Sequence, residues 1–216
     1  MERRRTGVSR HPERGHDEQA VIDAIIDEAL YCHVGFVVDS YPAVIPTIHA
    51  RSGSTLYLHG SPASRMLQAV PGAEICVTIT LLDGIVMARS AFNHSMNYRS
   101  VVIYGRPRVV TDPEEKMIAF ETLTEHVARG RWADARHPTP SEMTATTVLA
   151  LPLEEASAKV RSGPPIDEPA DVELDVWAGV VPMRLVAGVP QPDALMPPGT
   201  PTPEYAREYR RPTAAD

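Results

Sequence analysis

Cysteine is scarce in this chain: 216 residues contain two, Cys32 and Cys76. Set in separate apolar runs, they form neither a disulfide framework nor a cysteine-based metal centre. They read as buried thiols in a reducing compartment. Long apolar runs are missing as well. No stretch approaches the roughly 20 residues of a membrane span, and no signal-peptide core follows the Arg-rich start. These absences predict a cytoplasmic protein with no membrane contact. Positive charge is in deficit, with 21 Lys and Arg against 28 Asp and Glu and a net charge of -7. Nucleic acid is therefore not the expected partner, because phosphate neutralisation needs a basic surface. No Walker-type loop or Rossmann glycine triplet stands at a strand-to-helix junction, and Gly-x-Ser-x-Gly is absent. The histidines His33, His49, His59, His94, His126 and His137 form no His-Glu-x-x-His pair and no Cys/His cluster, so no metal site is expected.

What is present is a globular composition, 43% hydrophobic, suited to one large domain. Arg3, Arg4, Arg5, Arg10 and Arg14 make residues 1–16 a basic, solvated arm. Residues 17–190 carry the periodic patterns of a domain with a C-terminal extension, and residues 191–216 a Pro-rich, extended or disordered tail. Within the domain the spacing of Val21, Ile22, Ile25, Ile26 and Ala29 predicts a helix over 17–31, with Asp17 as its cap. Short β-branched runs joined by turns follow: 33–38, 43–50, 55–60, 74–82 and 85–89, with Asp83-Gly84 as a hairpin turn between the last two. A further strand opens in His94-Ser95-Met96-Asn97-Tyr98-Arg99-Ser100 and runs through Val101 to Gly105. A short helix over 61–70, a long one over 113–128, a strand over 146–151 and an extended segment around Trp177–Val181 complete the pattern. The expected fold is mainly β within the α+β class: an antiparallel β-barrel of about six strands with flanking helices.

Three polar clusters fall at strand ends. Pro46 interrupts its strand, which implies a bulge or an edge whose missing donor faces a cavity or ligand. His59-Gly60-Ser61, followed by Ser64-Arg65, offers free N–H groups, hydroxyls and a guanidinium, a combination that can hold an anion. Arg99 is a planar fork suited to phosphate or a ring carbonyl, or to a neighbouring acid.

The order of these segments resembles the pyridoxamine 5′-phosphate oxidase-like flavin-binding split barrels, most of all the branch of the nitroimidazole-resistance proteins. Tyr-Cys-His-Val-Gly-Phe-Val (31–37), Ile-Pro-Thr (45–47), Leu-Tyr-Leu-His-Gly-Ser (56–61) and Met-Asn-Tyr-Arg-Ser-Val (96–101) carry the resemblance, which extends over residues 10–190. It implies FMN at the interface of a homodimer. Val44, Ile45, Pro46 and Thr47 then approach the flavin ring and ribityl chain, with Leu58, His59, Gly60 and Ser61 at the end of the next strand. Ser64 and Arg65 hold the phosphate. Asn97, Tyr98, Arg99 and Ser100 belong to the same site, Ser100 reaching the flavin from the other subunit. Vitamin B6 oxidation is not implied.

The leading reading is thus a flavin-dependent oxidoreductase acting on a small molecule, with a nicotinamide as possible reductant. The cofactor supplies the redox chemistry, and His59 and His94 are candidates for donating a proton or polarising a ring carbonyl. The alternatives are a haem-binding or haem-degrading split barrel with a histidine ligand, a reductase using the deazaflavin F420, and a flavin carrier without turnover.

Overall fold

The computed structural model describes residues 5–212. Arg3 and Arg4 of the basic arm, and residues 213–216 of the tail, lie outside the described residues. After a 3-10 turn at Pro12–Arg14 come β1 (Gly15–His16), α1 (Gln19–Glu28), β2 (Tyr31–Val38), β3 (Tyr41–Ser52), β4 (Thr55–Gly60) and α2 (Arg65–Ala69). Next come β5 (Ile75–Met87), β6 (Ser95–Gly105), β7 (Arg108–Val109), α3 (Pro113–Val127), α4 (Arg131–Asp134) and α5 (Pro140–Thr144). The chain closes with β8 (Thr147–Pro152), β9 (Glu155–Arg161), β10 (Gly179–Pro182) and α6 (Glu204–Arg207). The described strands form one antiparallel sheet in the order β1-β9-β6-β5-β2-β3-β4-β8-β7, with β10 added to β5. The class is the expected α+β split barrel, but with ten strands in place of about six.

Tight turns fix the register. Asp39 and Ser40, at φ 51° and 66°, form a two-residue left-handed turn between β2 and β3, and Gly53 at φ 56° serves the next hairpin. Such turns match the right-handed twist of the strands they join. Ile22, Ile25 and Ile26 recur at helical spacing on α1 and are all buried. Each contributes about 1.5–3 kcal/mol by leaving water. They meet Val34, Leu56, Leu58, Val77, Ile79, Val101 and Ile103 in the main core. The helix begins two residues later than its pattern suggests, with Glu18 rather than Asp17 at the N-cap. In α3, the Asp112 carboxylate accepts from the N–H groups of Glu114 and Glu115, ahead of Pro113 in the first turn. Its Ala119 and Leu123 are buried. Ala119, with Phe120, packs over Tyr57, Val110, Val148 and Ala150 in a second core.

Two segments depart from the sequence reading. Asp83-Gly84 is not a hairpin turn. Residues 75–87 are one strand, and the register to β6 shifts by one residue between Leu82 and Gly84. The strand stays continuous because β6 pairs along one edge while β10 takes the other over Gly84–Met87. Gly84 is needed for close approach: a Cβ there would lie 2.9 Å from Val180 Cγ1 and 3.2 Å from Val181 O. The second departure is β9, which the residues of 155–161 do not advertise. It is rich in Ala and Ser, poor strand formers, yet it pairs with β6 from Tyr98 to Tyr104 and buries Ala158 in the main core.

The C-terminal end returns to the barrel. Arg211 donates to the carbonyls of Asp27, Glu28 and Ala29 at the end of α1, and to that of His126 in the last turn of α3. These are carbonyls that helix termini leave without partners. Tyr209 donates to Val127 O at 2.7 Å. Behind Arg211, the rings of His49 and His126 stand 5.0 Å apart. Nε2 of His49 bonds to Ile26 O at 3.0 Å and Nε2 of His126 to Ala29 O at 2.7 Å, so each ring donates from Nε2. Burial first, then the nearby His49 and Arg211, pushes the His126 imidazole down to about 4, and burial lowers His49 as well.

A histidine lowered in the fold stabilises it fully above its unfolded pKa of about 6.5, and this contribution is lost as pH falls towards the folded value. Urea unfolding should therefore show a loss of about 2 kcal/mol from His126 between pH 7 and pH 5. His126→Gln should flatten that slope. An unchanged slope in this variant would show that the proton is taken up elsewhere.

Candidate functional site

β3 divides its length between two partner strands. Residues 41–48 pair with β2, and residues 49–52 pair with β4. Beyond Leu58 β4 leaves β3 and continues against β8, with His59 opposite Val148 and Gly60 opposite Thr147. The barrel is split along this line.

The hydrogen-bond parity of β3 follows from its turns. Residues that flank a two-residue hairpin form a hydrogen-bonded pair, here Val38 with Tyr41 and Ser52 with Thr55. Odd-numbered residues of β3 therefore bond to β2, and even-numbered ones point towards β4. Where β4 has turned away, the backbone groups of Val44, Pro46 and Ile48 face an open edge. Pro42 and Pro46 both sit on this edge, where a missing N–H breaks no ladder bond. Pro46 thus marks an edge and not a bulge, since the register to β2 runs unbroken through His33.

The same register sorts the side chains by face. Val44, Pro46 and Ile48 project outward and are exposed, beside Tyr31, His33 and Val37 of β2. His59 shares this face, because Tyr57 lies opposite Ala50 and the alternation carries on along β4. Tyr98 and Ser100 share it too, through Leu82 and Thr80 of β5. Ile45 packs against the core, and Leu58 is fully buried within it. Thr47 is half-buried. Ser100 stands three strands away from Pro46, about 14 Å at the usual strand spacing. The β3–β4 cluster and the β6 cluster are therefore not brought together within one chain.

His59 is half-buried, and its Nδ1 is sealed from water with no partner among the described residues. Burial alone lowers its pKa, so the ring is neutral near pH 7 with an unmet hydrogen-bonding atom. Downstream, α2 sinks Met66, Leu67 and Val70 into the main core. This fixes the start of the helix at the end of β4, with Ser61 and Arg65 exposed. Arg65 has no acidic partner among the described residues, unlike Arg51, Arg89 and Arg99.

Arg99 points to the opposite face. Its Nε and Nη2 donate to Asp83 at 2.9 and 2.7 Å, and both terminal nitrogens donate to Glu28. These two carboxylates raise its pKa further above the usual value. The fork thus ties the last residue of α1 to the bulge of β5, leaving one N–H for anything else. Asn97 is buried between Arg161, from which it accepts, and Gly163 O, to which it donates at 3.1 Å. His94 is exposed and closes a turn through Ser90 O at 2.9 Å. Glu28, Asp83 and Arg161 have no signal in the sequence, since each acts through a partner far away along the chain. No group of three His, Cys, Asp or Glu side chains converges among the described residues.

These contrasts give opposite expectations for two arginines. Arg99→Ala strands two partly buried carboxylates and should cost about 2–3 kcal/mol in urea unfolding. Arg65→Ala should stay within about 0.5 kcal/mol. Equal losses would mean that Arg65 has a structural partner.

The geometry agrees with comparison to known proteins. The family model described as pyridoxamine 5′-phosphate oxidase matches residues 18–160. A flavocytochrome from Azotobacter vinelandii is 38% identical, with a TM-score of 0.91 over 96% of this chain and 97% of its own. An FAD and haem binding protein from Mycobacterium smegmatis is 34% identical, with a TM-score of 0.88 over 92% and 98%. A candidate 5-nitroimidazole antibiotic resistance protein from Bacteroides thetaiotaomicron is 25% identical, with a TM-score of 0.56 over 68% and 86%. Comparison with curated proteins gives no match. With two thirds of its length matched by the family model and nearly all of it by the first two structures, the chain belongs to the pyridoxamine 5′-phosphate oxidase family.

Proposed function

We propose that this chain binds a flavin nucleotide at the β3–β4 split and haem nearby, and works as a homodimeric redox protein on a small molecule. The observation that carries this reading is the full-length likeness to two proteins described as a flavocytochrome and as an FAD and haem binding protein. The likeness includes the extension beyond residue 160, which the family model does not cover.

The residues present suit a flavin. The open edge at Val44, Pro46 and Ile48 offers backbone donors and acceptors to a planar heterocycle, above an apolar face. Nε2 of His59, which unlike Nδ1 is not sealed within the protein, can bond a ring or ribityl heteroatom. Arg65, exposed and without an acidic partner among the described residues, suits the phosphate, which both FMN and FAD carry. Tyr98 and Ser100 stand about 14 Å from that edge within one chain, so they serve the flavin of a two-fold mate. For haem, His49 and His126 are engaged at the α1–α3 junction. His33 lies exposed on the outer face, beside Tyr31, and is the residue that would hold the haem iron. Together these groups supply paired and single electron transfer when bound. The chain's own part is to orient the two groups and keep water from them. Neutral His59 can hold a proton beside the flavin. Two free thiols, Cys32 buried and Cys76 partly so, fit a cytoplasmic setting.

The absorption spectrum of the purified protein tests the cofactor pair. Flavin bands with a Soret band are expected. A flavin without a Soret band would return the protein to flavin chemistry alone, and a deazaflavin spectrum would replace the flavin assignment. Titrations of apo-protein test the phosphate contact. A charge-assisted bond is worth about 1.5–3 kcal/mol, so Arg65→Ala should weaken FMN and FAD roughly tenfold to a hundredfold. Riboflavin, which has no phosphate, should bind as before. Equal loss for all three would remove Arg65 from the site.

A further inference from the structure

Far from the β3 edge, the basic residues of the N-terminal arm meet those of β9. β1 pairs with β9 so that Gly15 lies opposite Lys159 and His16 opposite Ala158, which brings Arg14 to the end of β9 beside Arg161. On its other side β9 pairs with β6, with Lys159 opposite Ser100 and Arg161 opposite Tyr98. Side chains directly opposite each other across a ladder share a face, so Lys159 and Arg161 stand next to Ser100 and Tyr98. From β9 to β3 is four strands, about 19 Å at the usual spacing.

Arg161 is only 6% exposed, and every partner it has is neutral. Nη1 donates to Asn97 Oδ1 and to Gly163 O at 3.5 Å, and Nη2 to Pro164 O at 3.3 Å. Nε and one Nη2 proton have no partner among the described residues. Burial first, then the Arg14 charge, lowers the Arg161 pKa, and only the Tyr98 phenol works the other way. Lys159 Nζ donates to Arg10 O at 3.2 Å and reaches no acid among the described residues. Arg14 has Glu13 at 3.6 Å, an exposed carboxylate that also serves His11. Arg51, Arg89 and Arg99, by contrast, each hold a carboxylate directly. A buried charge without a counter-charge is costly, so the cluster is built for an anion. Three cations against the single carboxylate of Glu13 leave two positive charges, which matches the two negative charges of a diphosphate.

We infer that Arg14, Lys159 and Arg161 form a phosphate site that takes the second phosphate of FAD, the one that FMN lacks, from the flavin of the two-fold mate. The inference rests on the flavin reading above, in which Tyr98 and Ser100 serve that flavin. A nucleotide that reaches these two side chains also meets the cations directly across from them. The phosphate common to FMN and FAD already faces Arg65 of the other subunit, which leaves the second for this cluster. A guanidinium fork and a flexible ammonium suit phosphate oxygens. The site thereby selects the dinucleotide over FMN.

Titrations of full-length apo-protein test this. Wild type should bind FAD about tenfold or more tightly than FMN. Lys159→Gln combined with Arg14→Gln should remove that difference, with FAD weakened about tenfold to a hundredfold and FMN and riboflavin unchanged. These substitutions spare Arg161, whose bonds to Asn97, Gly163 and Pro164 hold the fold. Calorimetry with inorganic pyrophosphate needs no flavin: wild type should bind it, and the double variant should lose it. Equal loss of FMN and FAD, or no change in either, would overturn the site. Haem binding that falls in the variant, with haem dimethyl ester and FAD unaffected, would give the cations to the propionates and overturn the phosphate assignment. If wild type takes no flavin at all, the flavin reading fails and the FAD assignment with it, and pyrophosphate then decides the phosphate site by itself.

Discussion

A strand in a sheet has two edges of backbone groups to satisfy, and β3 divides its length between partners to do so. β2 holds one edge over residues 41–48, and β4 holds the other only over 49–52. The twist of the sheet forces this division, because β4 must turn away to pair with β8 and carry α3 over the second core. On the line of divergence lie the unpaired backbone at Val44, Pro46 and Ile48, the half-buried His59, and the α2 start with Arg65. α2 plugs the core with Met66, Leu67 and Val70, so the mouth of the split cannot collapse.

The arginines divide in a similar way between those that hold the fold and those left exposed. Arg99, Arg51 and Arg211 all converge on the C-terminal half of α1. Arg99 bonds to Glu28, Arg51 to Asp23 and Asp27, and Arg211 to three backbone carbonyls. Thus β6, β3 and the C-terminal segment fasten one short helix across the barrel. Arg65, by contrast, stands exposed at the open split with no acidic partner among the described residues.

Much of this was legible in the sequence. Strands β4 and β6 and helix α3 follow from β-branched runs and a capping Asp, while proline chemistry alone left both a bulge and an edge open at Pro46. The resemblance also placed Val44, Pro46, His59 and Arg65 in one neighbourhood. What stayed hidden depended on distant partners. Asp83-Gly84 reads locally as a turn, and only β10, about a hundred residues later, holds it in a continuous strand. β9 has weak strand propensity and is fixed by β6. Arg99 carries the same chemistry whether it meets a phosphate or a carboxylate, and Glu28, seventy-one residues away, decided the matter. Arg211 looked like part of a loose tail until the helix ends it caps came into view.

The two prolines of β3 carry a consequence for how such a protein stays dispersed. An open strand edge is ordinarily a template, because an incoming strand finds a matching donor every second residue, about 6.8 Å apart. With Pro42 and Pro46 on that edge, the remaining donors are those of Val44 and Ile48, roughly 13 Å apart. A foreign strand laid there would leave every other carbonyl without a donor, so the edge is a poor template for a growing fibril. A small rigid heterocycle, which asks for only one or two bonds, loses nothing. The spacing of the prolines leaves single donors and disfavours a pairing strand.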